Sequence, residues 1–294
     1  MASQLTGQRK AKALRNAALI GLAGALLFAL SPAARAQIYS AEELTRRASL
    51  GGQDGWQLVG GFGGISVDQG SGINPSTVLQ GPSSFSSFAA RTNDSNFSFA
   101  QFTGLETSVV LQIDVYPVFT PMALFGLGHD SITDTDSVIN QASETGPLFG
   151  TMTSNGARLV IQEAGRGTSH LSSITLANLS WYQIRLEMDF TANAGQGSGS
   201  LFLRNLSLGE TSFTAVPDLQ NISLGLTNTA ADVRPFTYDG MFIGMGFGHM
   251  DNIGVVPEPA TSALLVGATL FCAVLRIAVK RRAERDGRKA VPRV

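Results

Sequence analysis

The sequence predicts an all-β protein: an antiparallel two-sheet sandwich over residues 37–256, preceded by a signal peptide and followed by a single transmembrane helix. Three observations carry this expectation. Apolar and polar residues alternate over short runs, the period of a strand with one buried face. The runs are separated by turns rich in Gly, Ser and Asn, and the chain holds 33 Gly in 294 residues. No long segment between the strand candidates keeps the 3.6-residue period of an amphipathic helix, so a parallel α/β sheet is not expected.

The elements follow in chain order. Arg9, Lys10, Lys12 and Arg15 form a basic start, Ala17 to Leu30 an apolar run, and Ser31-Pro32 a break. Ala34 and Ala36 then place small residues where a signal peptidase cuts, before Gln37, so residues 1–36 read as a signal peptide. Fourteen apolar residues reach only about 21 Å as a helix, short of a ~30 Å hydrocarbon core. Ser40 with Glu43 makes a capping box that predicts a short helix over 41–50, ended by Gly51-Gly52. Between Thr107 and Tyr116, the residues Val109, Leu111, Ile113 and Val115 share one face of a strand, with Ser108, Gln112 and Asp114 on the other. From Trp181 to Phe190 the alternation is cleanest: Tyr182, Ile184, Leu186, Met188 and Phe190 against Trp181, Gln183, Arg185, Glu187 and Asp189. A Gly-rich turn, 195–199, leads into a partner strand with Leu201 and Leu203. Shorter strands are predicted over 96–102, 122–127, 158–162, 172–176, 221–226 and 241–246.

After Val256 comes Pro257-Glu258-Pro259, an extended break that excludes helix. The apolar run from Ala260 reaches Leu275, and extends to Val279 if Arg276 snorkels to the basic end, which gives a transmembrane helix over 260–279. Lys280, Arg281 and Arg282 stop it and put the last residues, 283–294, in the cytoplasm as a basic tail.

The charge is partitioned in the same way. Residues 1–36 hold five basic residues and no acid, 37–256 hold 8 Arg, no Lys and 19 acids, and 276–294 hold eight basic residues and two acids. Basic ends around an acidic middle suit an exported domain between membrane-directed segments, and the acidic middle excludes a nucleic-acid partner. One Cys, Cys272 in the apolar run, excludes a disulfide framework, a zinc ribbon and an iron–sulfur site. With 33 Gly and only 15% charged residues, the composition disfavours a coiled coil or helical bundle.

Two resemblances follow from these residues. W-Y-Q-I-R-L-E-M-D, its Gly-rich turn, G-S-L-F-L-R-N-L and the closing Asp251–Val255 resemble laminin-G-like, concanavalin-type jelly rolls; this implies a jelly-roll-like sandwich and leaves a ligand unspecified. Pro257-Glu258-Pro259, the short apolar run and the Lys280–Arg282 cluster together resemble the PEP-CTERM sorting region of exported proteins of Gram-negative bacteria. That resemblance implies recognition by an exosortase, tethering in the inner membrane, cell-surface or extracellular placement, and association with exopolysaccharide and biofilm. The chain departs from the pattern in continuing for twelve residues past Arg282.

Candidate chemistry is sparse. Glu187 and Asp189 share a strand face with Cα atoms roughly 7 Å apart, and resemble two acids of the E-x-D-x-x-E strand of sandwich glucanases. The third acid is missing, since position 192 is Ala, and Arg185 offers Glu187 a surface ion pair. Asp130, Asp134 and Asp136 form a carboxylate-rich loop with the oxygen chemistry for calcium but without EF-hand spacing. His129, His170 and His249 are scattered and give no zinc motif, and no G-x-S-x-G occurs. Gly60 to Gly64 reads as a strand-end turn rather than a phosphate loop. Trp56 and Trp181 would stack on sugar rings if exposed and belong to the core if buried. The expectation is a non-enzymatic exported protein without a cofactor, with extracellular polysaccharide as a partner. A concanavalin-like carbohydrate-binding module is the alternative, and a glycoside hydrolase a more distant one.

Overall fold

Sixteen strands and six short 3₁₀ segments make up the described part of the computed structural model, which covers residues 37–82, 86–92, 108–119, 122–129, 139, 142–154, 156–226 and 238–256. The strands are β1 (Gln37–Tyr39), β2 (Gln57–Gly61), β3 (Ser66–Gln69), β4 (Thr77–Gln80), β5 (Ser87–Thr92), β6 (Ser108–Pro117), β7 (Ala123–Gly128) and β8 (Thr145–Thr153). They continue with β9 (Ala157–Gln162), β10 (Ser169–Leu176), β11 (Tyr182–Asp189), β12 (Ser198–Asn205), β13 (Thr214–Ala215), β14 (Ile222–Ser223), β15 (Gly240–Met245) and β16 (Gly248–Val256). All named pairings are antiparallel. Among the described residues there is no α-helix, and none long and apolar enough to cross a membrane.

The strands form two sheets. The first runs β13-β12-β11-β6-β16-β4-β3, with β1 also on β16 and β14 on β12; the second runs β10-β9-β8-β7-β15-β5-β2. Their inner faces share one apolar core, in which Leu111, Ile113, Ile184 and Leu186 of the first sheet join Phe125, Phe149, Ile161 and Ile243 of the second. The architecture is a β-sandwich. Gly150 of β8, at φ +140°, is set by its neighbour β7: a Cβ there would fall 1.9 Å from Ala123 O, and 3.3 Å from Ile113 Cδ1 across the gap.

The alternation read from the sequence is realised at the centre of the first sheet. Tyr182 to Asp189 pair without interruption with Val115 to Ser108 on one side and with Asn205 to Ser198 on the other. The expected strands over 122–127, 158–162 and 241–246 are present within a residue or two, and 172–176 extends back to Ser169. The expected strand over 96–102 lies outside the described residues, as do the signal peptide, the sorting motif Pro257-Glu258-Pro259, the transmembrane run and Lys280–Arg282. Two expectations are corrected. The helix over 41–50 shrinks to a single 3₁₀ turn, Ala41–Glu43: Ser40 Oγ accepts from Glu42 N (3.4 Å) and Leu44 is already extended. Leu44 and Leu50 are buried, and the backbone of 47–50 is spent on the β3 region instead, through Arg47 N to Val67 O and Leu50 N to Ile65 O. The strand over 221–226 is only two residues, because Leu224 and Leu226 turn into the core and bond the loop at 196–197.

Candidate functional site

The central strands of the first sheet place a polar rung across its outer face. Arg204 (β12), Gln183 (β11), Asp114 (β6) and Asp251 (β16) are successive Cα partners. A strand with one face in the core should present its other face to water, yet Gln183, Asp114 and Asp251 are only 6%, 5% and 4% exposed. Buried polar side chains in this number need partners.

A β-bulge supplies some of them. Between Asp251 and Gly254 the register against β6 slips by one residue, and Asn252 takes φ +47°, which lets Asp251 and Asn252 both serve the outer face. Asn252 Nδ2 donates to Asp114 Oδ2 (2.7 Å), while Gln183 Nε2 donates to Asp114 Oδ1 (2.7 Å). Asp251 Oδ2 accepts from Asn74 Nδ2 (3.0 Å) and Ser76 Oγ (3.1 Å). The other oxygen, Asp251 Oδ1, is buried without a hydrogen-bond partner. Burial raises the Asp114 carboxyl to about 6, with the neighbouring Asp251 adding to the rise and the Asn252 and Gln183 donors opposing it. Burial likewise raises Asp251, against its bonds from Asn74, the Asn252 backbone and Ser76.

The bulge is also where the edge of β16 changes neighbour. β4 pairs with His249 and Met250, β1 with Ile253 to Val255, and the gap between them opens a cleft of about 490 Å³. Its walls are the 3₁₀ turn after β1, with Ser40 and Glu42, and the turn between β3 and β4, with Ile73, Asn74 and Ser76. Its floor carries Asp114, Asp251 and Asn252, and Trp181 and Leu206 close one side. Trp181 is held there by Nε1 donating to Ser71 O (2.5 Å), with Tyr116 at 5.3 Å and His249 at 6.4 Å behind it. His249 is itself buried, which lowers its pKa.

The residues singled out from sequence are distributed elsewhere. Trp56 and Trp181 are each 1% exposed, so neither indole offers an open face for stacking. Trp56 packs edge-on against Tyr39 (5.5 Å), and Gly72, at φ +66°, lies over Trp181, which reaches the cleft only as part of its wall. Glu187 is paired with Arg185 (2.6 Å) on the open part of the sheet, and Asp189 accepts from Thr191. His129 meets Asp239 (3.0 Å) and His170 meets Glu163 (3.0 Å), far apart in the fold. Asp130, Asp134 and Asp136 lie outside the described residues, as do Ala34 and Ala36. Among the described residues no group of three or more His, Cys, Asp or Glu is arranged to hold a metal.

Sequence reasoning missed the Asp114–Asp251 pair because 137 positions separate the two and only the β6–β16 register joins them. The available signal was local: an Asp within L-Q-I-D-V-Y, inside the most apolar stretch of its strand.

No protein-family model matches the chain, and no curated protein matches it. Among solved structures it is similar to lectin II from Ulex europaeus (13% identity, TM-score 0.37, 70% of this chain and 94% of that one). It is also similar to basic winged bean lectin with Tn-antigen (12%, 0.37, 75% and 97%) and to a protein of unknown function from Shewanella oneidensis MR-1 (12%, 0.33, 77% and 89%). Overlaps this loose assign the chain neither a family nor a ligand.

Proposed function

We propose that this chain is an exported surface protein whose β-sandwich binds carbohydrate in the cleft over β6 and β16, delivered by its signal peptide and processed by an exosortase at Pro257-Glu258-Pro259. The observation that carries the binding reading is the cleft itself. Its volume, about 490 Å³, suits one or two sugar rings. Its lining mixes carboxylate, amide and hydroxyl groups, which fit sugar hydroxyls, with the apolar side chains of Ile73 and Leu206, which fit the C–H faces of a ring. A pull-down of the detergent-solubilised full chain on a panel of immobilised polysaccharides tests this; retention on none of them overturns it.

A separate observation supports the delivery reading. Gln37 is the Cα partner of Val255, so the first residue after the expected signal cleavage and the last strand before the sorting motif lie side by side at one end of β16. Asp251 lies roughly 15 Å along the strand from that pair. The sorting motif follows β16 without a spacer. In a host carrying the enzyme, Glu258→Ala should block tail removal and leave export intact, because Glu258 is the charge a basic pocket would read at the membrane surface. Mass measurement of surface-released protein checks it; wild-type chains that keep residues through Val294 would reduce the segment to an anchor.

A further inference from the structure

Resting on the carbohydrate reading, we infer that the β3–β4 turn, residues 70–76, is a flap. Lifted, it uncovers a shelf of three rings, Tyr116, Trp181 and His249, on which a neutral sugar ring stacks beside the cleft. Tyr116 and His249 are Cα partners across β6 and β16, and Trp181 precedes Tyr182, the partner of Val115 on the other side of β6. The rings therefore form a row on the outer face of the first sheet. Tyr116 lies 5.3 Å from Trp181 and 5.5 Å from His249, with interplanar angles of 39° and 30°. Such a row presents π-faces to anything laid across it.

What covers the row is lightly held. Gly72 is set over the rings: a Cβ there would lie 3.8 Å from Trp181 Cδ1 and 4.0 Å from Tyr116 Cε2. The large apolar residue of the turn, Ile73, is 58% exposed, so it does little to anchor the turn by burial. Among the described residues, three hydrogen bonds tie the turn to the sheet: Trp181 Nε1 to Ser71 O, and Asn74 Nδ2 and Ser76 Oγ to Asp251 Oδ2. Each of them uses a side chain. Other bonds lie within the turn, from Gly70 N to Ser76 O (2.8 Å) and from Ser76 N to Asn74 Oδ1 (3.1 Å), and they keep its shape when it lifts. A segment with so little buried apolar surface opens locally at low cost. Closure also leaves Asp251 Oδ1 buried without a partner, and water let in by lifting would meet it. A ring that stacks on the shelf binds the lifted form alone and draws the equilibrium toward it.

Two measurements on the detergent-solubilised full chain test this. The first follows exchange of the two indole protons by NMR with labelled tryptophan. Trp56 and Trp181 are equally buried, but Trp56 belongs to the shared core and Trp181 lies under the turn. Although hydrogen-bonded, the Trp181 proton should therefore exchange about tenfold faster or more. Exchange as slow as that of Trp56 would overturn the flap and leave carbohydrate binding standing. The second is calorimetric titration with a β-1,4-linked glucose trimer, which is neutral and presents a C–H face. Asn74→Ala loses one tie, populates the lifted form and should bind about threefold tighter than wild type. Asp251→Asn gives Asn74 and Ser76 a neutral acceptor in place of a carboxylate and should shift affinity in the same direction. Tyr116→Leu takes a ring from the shelf and should bind about tenfold more weakly. The comparison of Asn74→Ala with wild type decides even if Tyr116→Leu fails to fold. Wild-type affinity in both Asn74→Ala and Asp251→Asn would overturn the flap. No trimer binding by a chain that the polysaccharide panel retains would overturn the shelf alone, and retention on none of the panel would remove both readings.

Discussion

The two sheets of this sandwich differ in what their outer faces bury: the second buries apolar side chains, and the first buries a rung of carboxylates and amides beside a small apolar cluster of Val78, Tyr116 and Trp181. In the second sheet, Ala90, Leu124, Leu148, Val160 and Phe242 point away from the shared core and are nevertheless buried, as a second apolar cluster with Ile139. Arg166 lies across it, its guanidinium 5.0 Å from the Phe242 ring and 5.9 Å from Phe88. In the first sheet, the outer face carries Arg185, Glu187, Asp189 and the rung of Gln183, Asp114 and Asp251. Burial on an outer face therefore has two meanings here. Where the buried groups are apolar, they add packing to the fold. Where they are carboxylates and amides, they cost desolvation, and a site is the economical explanation for keeping them.

The largest effect that can break this contrast is in the apolar cluster. If the outer face of the second sheet is packed as a core, Phe242→Ala should cost about 3–5 kcal/mol, as much as Phe149→Ala at the inner face. Both rings are fully buried. Urea unfolding of the two variants measures it. A loss below about 1 kcal/mol for Phe242→Ala alone would mean that this face is covered without being packed.

The same contrast decides what could be read from the sequence. β6 and β11 were legible because one of their faces is polar, so the period of two is visible in the letters. β8, Thr145 to Thr153, is buried on both faces for most of its length, so T-G-P-L-F-G-T-M-T shows no alternation and was missed. β3 and β4 are four residues each, too short for a period to register. Glu43 completed a capping box on paper, but Leu44 and Leu50 are drawn into the sandwich core, and that burial overrides the local helix signal. The cleft was illegible for a different reason. Its floor joins residues 74, 114 and 251–252, and it depends on a bulge that re-aims two consecutive side chains, which no local pattern announces.

A middle-sized effect sharpens the polar half of the comparison. The Asp114 carboxyl titrates near 6 in the folded chain against an ordinary value of 3.8. Between those two values the folded state holds a proton that the unfolded chain has lost, so stability from this group is full below pH ~4 and is lost as pH rises through 6. Asp251, raised as well, acts in the same direction. Melting curves from pH 4 to pH 7 should show a decline on the order of 2 kcal/mol from this source, and Asp114→Asn should remove most of that slope whatever it does to the absolute stability. Gln183, Asn252, Asp251 and Arg204 surround the group and stay in place in that variant. A variant with the wild-type slope would show that Asp114 is not the residue that titrates.

The smallest effect concerns the other pair of acids on the same sheet. Glu187 and Asp189 sit one strand from Asp114, on the same outer face, and share its chemistry in every respect except burial. The Glu187 side chain is 41% exposed and paired with Arg185, at 2.6 Å. In water such a pair gains little, since solvent screens it and both side chains give up freedom to form it. Glu187→Gln should therefore change stability by less than ~0.5 kcal/mol and leave saccharide binding untouched, while Asp251→Asn alters binding. Two carboxylate pairs on one face then separate by environment alone: the exposed one, which the sequence pattern brought forward, is inert, and the buried one carries the chemistry. Unfolding curves and the same calorimetric titration make the comparison. A loss of binding in Glu187→Gln would reverse it, moving the site from the gap between β4 and β1 to the open face of β11.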